Sequence, residues 1–482
     1  MSDDSSSRIV AELREWIVTA APGSRLPSTR ALVAQYQASP VTVQKALRTL
    51  IAQGLVETRT GVGTFVLGAR AVRPNDYGWQ TAALGTPLGH QPRSSTALRV
   101  ATNDVIALHS GYPDRELLPE RLVRSAFVRA ARSDAVIGRP PAAGLPELQG
   151  WFAPELGTAT PAGVVPPTSS DVIVLPGSQS GLTAAFRALA GPGRPLLVES
   201  PTYWGAILAA AQAGVRLVPI PCGLNGPDPD ELYRALEETG ARAFYAQPNF
   251  ANPTGTSWSP AIAGQVLDLV RARGAFLIED DWAHDLGIET ASTPIAARDD
   301  SGHAVYIRSL TKSVSPAVRV AAIIARGPAR ERILAEVQAH AMYVSGVLQN
   351  VAHDVVTQPA WRTHLRSLRR QLTSRRDLLV EAVREHIPDA HLHAVPQGGL
   401  NLWVRLPDDT NLYGLMRACE AAGTLISIGD EWFPAEPTGP YLRLNYSGPQ
   451  PGAFPDGARV IGQSLVRLRT RDRGNRVEVH VP

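Results

Sequence analysis

Lysine is nearly missing from this chain. Of 47 cationic side chains, only Lys45 and Lys312 are lysine, and the other 45 are arginine. A GC-rich coding bias would produce this with no function attached, yet it makes the two retained lysines the positions to inspect. Cysteine is equally scarce: Cys222 and Cys419 leave no room for a disulfide framework or a cysteine-rich metal centre, and no metal site is expected. No run approaches the ~18 uninterrupted apolar residues of a membrane span. Residues 2–7 are acidic and polar, not basic then apolar, which excludes an ordinary secretory signal, so a soluble cytoplasmic protein is expected. What is present is a 482-residue chain, 44% hydrophobic and 19% charged, long enough for two to four domains with a substantial core.

The formal net charge of +3 sits entirely in residues 1–70, which hold eight Lys or Arg against five Asp or Glu, while the rest of the chain balances. Within that segment Ile9, Val10, Leu13, Trp16 and Ile17 recur at helical spacing over about three turns. A short helix is expected over 29–36, then a turn at Gln37-Ala38. Ser39-Pro40 reads as an N-cap and first helical position. The helix that follows would bury Val43, Ala46, Leu47, Leu50 and Ile51, show Thr42, Gln44, Lys45 and Arg48 on its other face, and stop at Gly54. Val56 to Arg59, a turn at 60–63 and Thr64 to Val66 read as a hairpin. Helix, helix–turn–helix and basic hairpin together make a winged helix-turn-helix, whose third helix would enter a DNA major groove while Arg59 and the glycines of the wing approach the backbone. The same pattern also suits a small docking module.

The segments Gly23-Ser24-Arg25-Leu26-Pro27-Ser28-Thr29-Arg30, Ser39 to Leu47, Gly54-Leu55-Val56 and Gly61-Val62-Gly63-Thr64-Phe65-Val66 resemble the DNA-binding domain of the GntR family. Position by position, the resemblance implies that Arg30, Thr42, Gln44, Lys45 and Gly63 contact DNA. The alternative for Arg30 is a helix-end ion pair. Where the family usually has arginine after the serine that opens the third helix, this chain has Pro40, which removes one expected contact.

From 69 to 104 the composition is that of a semi-extended linker, with scattered Pro and Gly and with Arg70, Arg73, Arg93 and Arg99, which read as solvated charges or supplementary DNA contacts. From 171 on, short β-branched runs (172–175, 196–199, 216–220, 243–246, 276–279, 305–308 and 320–325) alternate with helical patterns at about 180–190, 204–213, 228–238 and 260–273. That is the signature of a doubly wound α/β domain with a mostly parallel sheet. Ligands of such sheets bind beyond the carboxyl ends of the strands. There stand Gly177-Ser178-Gln179 opening a helix, Gln247-Pro248-Asn249 leading to Asn252-Pro253-Thr254-Gly255, Glu279-Asp280-Asp281-Trp282, and Ser309-Leu310-Thr311-Lys312 with Arg319 seven residues on. A lysine at a strand end, in a domain with no other, is a candidate imine former.

Gly177-Ser178-Gln179, Tyr203, Asn252 to Gly255, Asp280, Ser309-x-x-Lys312 and Arg319 resemble the pyridoxal-phosphate site of fold-type I aminotransferases, in order and at close to the family's spacing, over about residues 106–482. The resemblance implies a mostly parallel sheet with a smaller C-terminal α+β subdomain. It also implies that Lys312 carries the cofactor and Asp280 pairs with its pyridine nitrogen. Gly177, Ser178, Gln179, Ser309 and Arg319 would hold its phosphate, Tyr203 would stack on its ring, and Asn252 would bind its phenolic oxygen. Arg443, in Tyr441-Leu442-Arg443-Leu444, would take a substrate or effector carboxylate, or else form a structural ion pair. Trp282 stands where the family commonly has a tyrosine that donates to the cofactor oxygen. An indole N–H donates but does not titrate as a phenol does; His284 nearby reads as a packed or solvated histidine, the alternative being a compensating donor.

A GntR-like domain (1–68), a linker (69–104) and an aminotransferase-like domain (105–482) together resemble the MocR/GabR-type regulators. That resemblance implies a homodimeric, pyridoxal-phosphate-dependent transcription factor binding double-stranded DNA. It would sense an amine or amino acid, or pyridoxal phosphate itself, through aldimine exchange at Lys312. The alternative is a working aminotransferase whose winged helix is vestigial. The arginine-rich tail after Arg467 reads as a basic, solvated end.

Overall fold

The computed structural model describes residues 2–59, 61–67, 78–84, 95–102 and 104–478. The chain divides into two units, Met1–Leu88 and Gly89–Pro482. Thr60, Arg70, Arg73 and Arg93 lie outside the described residues.

In the first unit, α1 (Ser2–Thr19) is 18 residues long, more than the three turns expected from its apolar stripe. Ile9, Val10, Leu13 and Ile17 are buried, whereas Trp16 falls at the stripe's edge and stays 39% exposed. Ser28 caps α2 (Thr29–Tyr36), accepting from Ala31 N at 3.2 Å, and Gln37 ends it in the left-handed region. Ser39 does the same for α3 (Pro40–Ala52), accepting from Thr42 N at 3.2 Å, with Pro40 in the first turn where its missing N–H costs nothing. The inward face of α3 is Val43, Ala46, Leu47 and Leu50, while Ile51, expected inside, is 41% exposed. Strands β1 (Val56–Arg59) and β2 (Gly63–Val66) pair antiparallel, Val56 opposite Val66 and Arg59 opposite Gly63. A further short helix, α4 (Gly78–Leu84), falls where only irregular linker was expected.

The second unit opens with β3 (Ile106–Ala107), α5 (Glu120–Ala130) and α6 (Pro146–Gly157). The alternating region then runs β4 (Val172–Leu175), α7 (Ser178–Ala185), β5 (Pro195–Ser200), α8 (Trp204–Ala213), β6 (Arg216–Gly223), β7 (Gly226–Pro227), α9 (Pro229–Thr239), β8 (Ala243–Ala246), α10 (Pro260–Ala272), β9 (Phe276–Asp281), β10 (Ala304–Ser309) and β11 (Ala321–Ile324). These strands form one eight-stranded sheet in the order β4-β11-β10-β9-β8-β5-β6-β7. Its central pairings β10·β9, β9·β8, β8·β5 and β5·β6 are parallel, and β11 runs against both its neighbours. β4, β8, β10 and β11 are buried along their whole length, as strands covered on both faces must be, which is why they read as continuous apolar runs.

The chain continues through α11 (Gly327–Ala341), α12 (Gly346–Thr357) and the long α13 (Pro359–His386). It enters a smaller part made of β12 (His391–Leu392), β13 (Asn401–Arg405), α14 (Leu412–Ala421), β14 (Thr424–Leu425), β15 (Ser427–Ile428), β16 (Tyr441–Asn445) and α15 (Phe454–Glu478). Here the sheet order is β12-β13-β16-β15, and β14 pairs with β3 far upstream. Two expectations about the flanks are corrected. Segment 95–102 is built into this unit: Thr96 N donates to Glu431 Oε2 at 3.1 Å, Ala97 is 3% exposed, and Arg99 is ion-paired with Glu420 and so is not a solvated linker charge. The tail is helical to Glu478, and Arg469 pairs with Asp389 (2.6 Å) and Asp409 (3.4 Å). The side chains of Arg471, Arg473 and Arg476 lie outside the described residues.

Candidate functional sites

The carboxyl ends of β4, β5, β8, β9 and β10 face a cavity of about 360 Å³, closed on one side by β16. Of the eleven positions expected to hold cofactor and effector, ten line it: Ser178, Gln179, Tyr203, Asn252, Asp280, Trp282, Ser309, Lys312, Arg319 and Arg443. The eleventh, Gly177, lies behind Arg319. It holds φ +90°, and a Cβ there would meet Arg319 Nη2 at 2.6 Å, so only glycine admits the guanidinium.

Around Gly177 the geometry suits a phosphate. Gly177 begins α7 without a side-chain cap, so the first N–H groups of the helix point outward at the positive end of its dipole. Arg319, with φ +50°, stands over that end with no carboxylate partner among the described residues. Ser309 and Ser178 complete the cradle.

Asp280 sits opposite, 1% exposed. Its Oδ2 accepts from Tyr245 Oη (2.9 Å) and Gln247 Nε2 (2.8 Å), and its Oδ1 is buried with no partner. An orphaned carboxylate oxygen beside a cavity is what a pyridinium N–H would satisfy, so the residues present fit pyridoxal phosphate. Burial pushes the Asp280 carboxyl up to about 6; the two donors pull it down and the charge of Asp281 adds to the rise. The folded protein thus keeps a proton that the unfolded chain releases near pH ~3.9, a stabilising contribution lost as pH rises through about 6. Pairing with a pyridinium requires the ionised form. Cofactor affinity is therefore expected to fall as pH drops below about 6, and Asp280→Asn to weaken it about 10- to 100-fold at higher pH while flattening this dependence. Fluorescence titration of both proteins across pH measures it, and the cofactor phosphate, which ionises in the same range, is common to the two.

Lys312 follows β10 in the cavity wall. Its Nζ donates to Gly111 O at 2.8 Å and lies 3.1 Å from the centre of the Tyr112 ring. Desolvation, then the charges of Arg443 and Arg319, hold its pKa well below the ordinary lysine value. Each of these favours the neutral amine, which is the nucleophilic form. Its remaining exposure is to the cavity.

Arg443, on β16, is 1% exposed, and among the described residues no carboxylate lies within ion-pair distance of it, although the charge of Glu431 reaches it. Nε donates to Asn252 Oδ1 (2.9 Å), Nη1 to the carbonyls of His109 (3.2 Å) and Ser110 (3.3 Å), and the group lies 5.1 Å from the Trp432 ring centre. Burial pulls its pKa down to about 10, against the charges of Glu431 and Tyr203. A buried guanidinium lacking its counter-ion is costly by several kcal/mol, and a ligand carboxylate would relieve that. Because Asn252 Oδ1 is taken by Arg443, the amide nitrogen is the end left for a cofactor oxygen.

One sequence expectation is corrected. Trp282 lines the cavity, but its Nε1 donates to Phe250 O at 3.0 Å, so the indole offers only its ring to a cofactor. His284 is no substitute donor: its Nδ1 is 2.7 Å from Asp281 Oδ2, which also accepts from Tyr306 and Ser292, outside the cavity. Sequence reasoning missed Gln247 and Tyr245 as partners of Asp280, and Gly111 and Tyr112 as neighbours of Lys312. The first pair read as strand and strand end. The second stands 200 residues from the lysine, where only tertiary structure joins them.

In the first unit, Gln44, Lys45 and Arg48 form an exposed polar face on α3, with Thr42 half-buried and sharing a hydrogen bond with Ser39 Oγ (2.9 Å). Arg30 is exposed on α2 with no ion-pair partner among the described residues, which removes the helix-end ion pair. Arg59 is engaged: Nε donates to Glu57 Oε1 at 2.8 Å, and the group lies over Phe65. Gly63, at φ +141°, has a local reason to be glycine, because a Cβ would meet Arg25 Nε at 2.7 Å.

Comparison with known proteins divides the chain the same way. Residues 103–425 match the family model described as aminotransferase class I and II, and residues 5–66 that of the bacterial regulatory proteins of the gntR family. An uncharacterized HTH-type transcriptional regulator of Bacillus subtilis, YdfD, is 26% identical, covering 95% of this chain and 94% of its own. The probable rhizopine catabolism regulatory protein MocR of Rhizobium meliloti is 26% identical over 93% and 90%. Among solved structures, the α-aminoadipate aminotransferase LysN of Thermus thermophilus, complexed with N-(5'-phosphopyridoxyl)-L-leucine, superposes with a TM-score of 0.71 at 25% identity, covering 79% of this chain and 96% of that one.

Proposed function

The chain belongs to the aminotransferase class I and II family and carries a gntR-family regulatory domain at its N-terminal end, and from that premise we propose that it is a pyridoxal-phosphate-dependent DNA-binding regulator that senses an amino compound. Its parts are proposed as a DNA-binding domain (1–68), a connection (69–104) and a sensing domain (105–482), acting as a homodimer in the cytoplasm. The proposed DNA contacts are Arg30, Thr42, Gln44, Lys45 and Arg48, with Arg59 and Gly63 on the wing.

When bound, pyridoxal phosphate supplies an aldehyde that condenses with amines and a ring that withdraws electrons. Gly177, Ser178, Gln179, Ser309 and Arg319 would hold its phosphate, Asp280 its ring nitrogen, Tyr203 and Trp282 its ring faces and Asn252 its phenolic oxygen. Lys312 supplies the neutral amine that attaches it, and Arg443 receives the carboxylate of the sensed molecule.

One observation carries the sensing role. Lys312 and Arg443 both donate to backbone carbonyls of 109–111. That stretch is tied to 97–99, since Gly111 N donates to Ala97 O (3.4 Å) and a His109 ring nitrogen bonds Arg99 O (2.9 Å). Residues 97–99 belong to the connection (69–104) proposed to lead from the DNA-binding domain. A sensed amino acid would change both sets of bonds to this strap, since its exchange for the lysine frees Lys312 to donate to Gly111 O while its carboxylate competes for Arg443. It therefore has different affinity for its held and released states, which is what switching requires.

A functioning aminotransferase is the second reading, favoured by the intact cofactor positions. Trp282 weighs against it, because its N–H is already committed to Phe250.

Lys45→Ala with Arg48→Ala is expected to weaken binding to operator DNA and to lower the slope of log K against log salt by about 2. Affinity and slope both unchanged would move the DNA contacts off α3.

A further inference from the structure

The charges in the cavity are fully used before the side chain of a sensed molecule is considered. Four charged residues line it: Asp280, Lys312, Arg319 and Arg443. On the reading above, which this inference rests on, they serve in turn the ring nitrogen, the attachment point, the phosphate and a carboxylate. Glu431, whose charge reaches Arg443, is already satisfied by Thr96 N (3.1 Å), Thr96 Oγ1 (2.6 Å) and Ser427 Oγ (3.1 Å).

The lining beyond the cofactor positions carries no charge: Tyr112, Gln247 and Thr311 are its polar members, and Ala97, Leu98, Trp204 and Leu208 form its apolar wall. Trp204 packs against a cluster of Ala97, Trp403, Trp432 and Phe433, which fixes it in place, and Leu98 forms the open edge at 46% exposure. A second carboxylate or an ammonium against this wall would lose its water and find no partner. An aliphatic or aromatic group would gain the area it covers.

We propose that the sensed molecule is an α-amino acid with an uncharged, apolar side chain, its carboxylate on Arg443 and its side chain against Ala97, Leu98, Trp204 and Leu208. Each methylene buried there adds roughly fourfold in affinity.

Titrating the cofactor-loaded full-length protein and following its visible spectrum tests this. L-alanine, L-leucine, L-phenylalanine, L-glutamate and L-lysine serve as probes. Leucine or phenylalanine is expected to act at concentrations at least about tenfold below glutamate and lysine, with alanine weaker than leucine. Leu98→Arg, at a half-exposed position that tolerates the change, is expected to narrow or reverse the leucine-over-glutamate preference. Glutamate or lysine acting as well as leucine, or an unchanged ranking in L98R, would overturn the proposed class while leaving the sensor standing. No spectral response to any amine, with the cofactor band present, would instead remove the sensor reading on which it rests.

Discussion

Lys312→Ala is expected to abolish the visible absorption band of the cofactor-loaded protein and every amine-dependent change in it, while the far-ultraviolet circular dichroism stays that of the wild type. The expectation follows from where the amine sits. Lys312 is the only lysine in residues 46–482, so no neighbouring ammonium substitutes for it. Burial and the adjacent charges of Arg443 and Arg319 lower its pKa, which favours the reactive neutral form. Its structural contribution is one hydrogen bond to Gly111 O and the contact with Tyr112. Loss of a single such bond costs on the order of 1 kcal/mol, too little to unfold a domain of this size. DNA affinity in the absence of amine is expected to persist and to become indifferent to amines. A surviving visible band would sink the assignment of the lysine.

Arg443→Leu has the second largest expected effect. Two charge-assisted bonds to a carboxylate are worth about 1.5–3 kcal/mol each, so the variant should bind carboxylate-bearing amines at least about 100-fold more weakly. Amines lacking the carboxylate should lose far less. The comparison of L-leucine with isoamylamine separates recognition from general damage to the site. Arg443→Lys should rescue poorly, because an ammonium does not reproduce the planar fork, and the bond from Nε to Asn252 would be lost as well. Equal losses for both ligands would make Arg443 a packing residue.

Much of this was legible before any coordinates. Every strand of the large sheet from β4 to β11, the two-residue β7 apart, was marked by a short β-branched or aromatic run, and in β4, β8, β10 and β11 burial on both faces makes that run continuous. The groups at their carboxyl ends kept their order and spacing, so nine of them meet in one cavity, joined by Arg443 from β16. What stayed illegible depends on tertiary contact. The docking of 95–102 rests on Thr96 meeting Glu431 and Ser427, more than 300 residues away. No local pattern marks that segment as anything but linker. Likewise Trp282 reads as a replacement hydrogen-bond donor until its indole is found bonded to Phe250, whose carbonyl is turned toward it by a backbone at φ +52°. Ile51 and Trp16 fit their helical stripes by spacing, but both fall at the rim of a core too small to cover them.

The central claim is that one event at Lys312 is read out at DNA. A single titration tests it directly: cofactor-loaded protein on labelled operator DNA, with the visible spectrum and DNA anisotropy followed together as the amino acid is added. The account predicts that both signals move with one midpoint and then hold steady, without accumulation of keto acid. A spectrum that cycles as keto acid builds up, over a DNA signal that never moves, would contradict it.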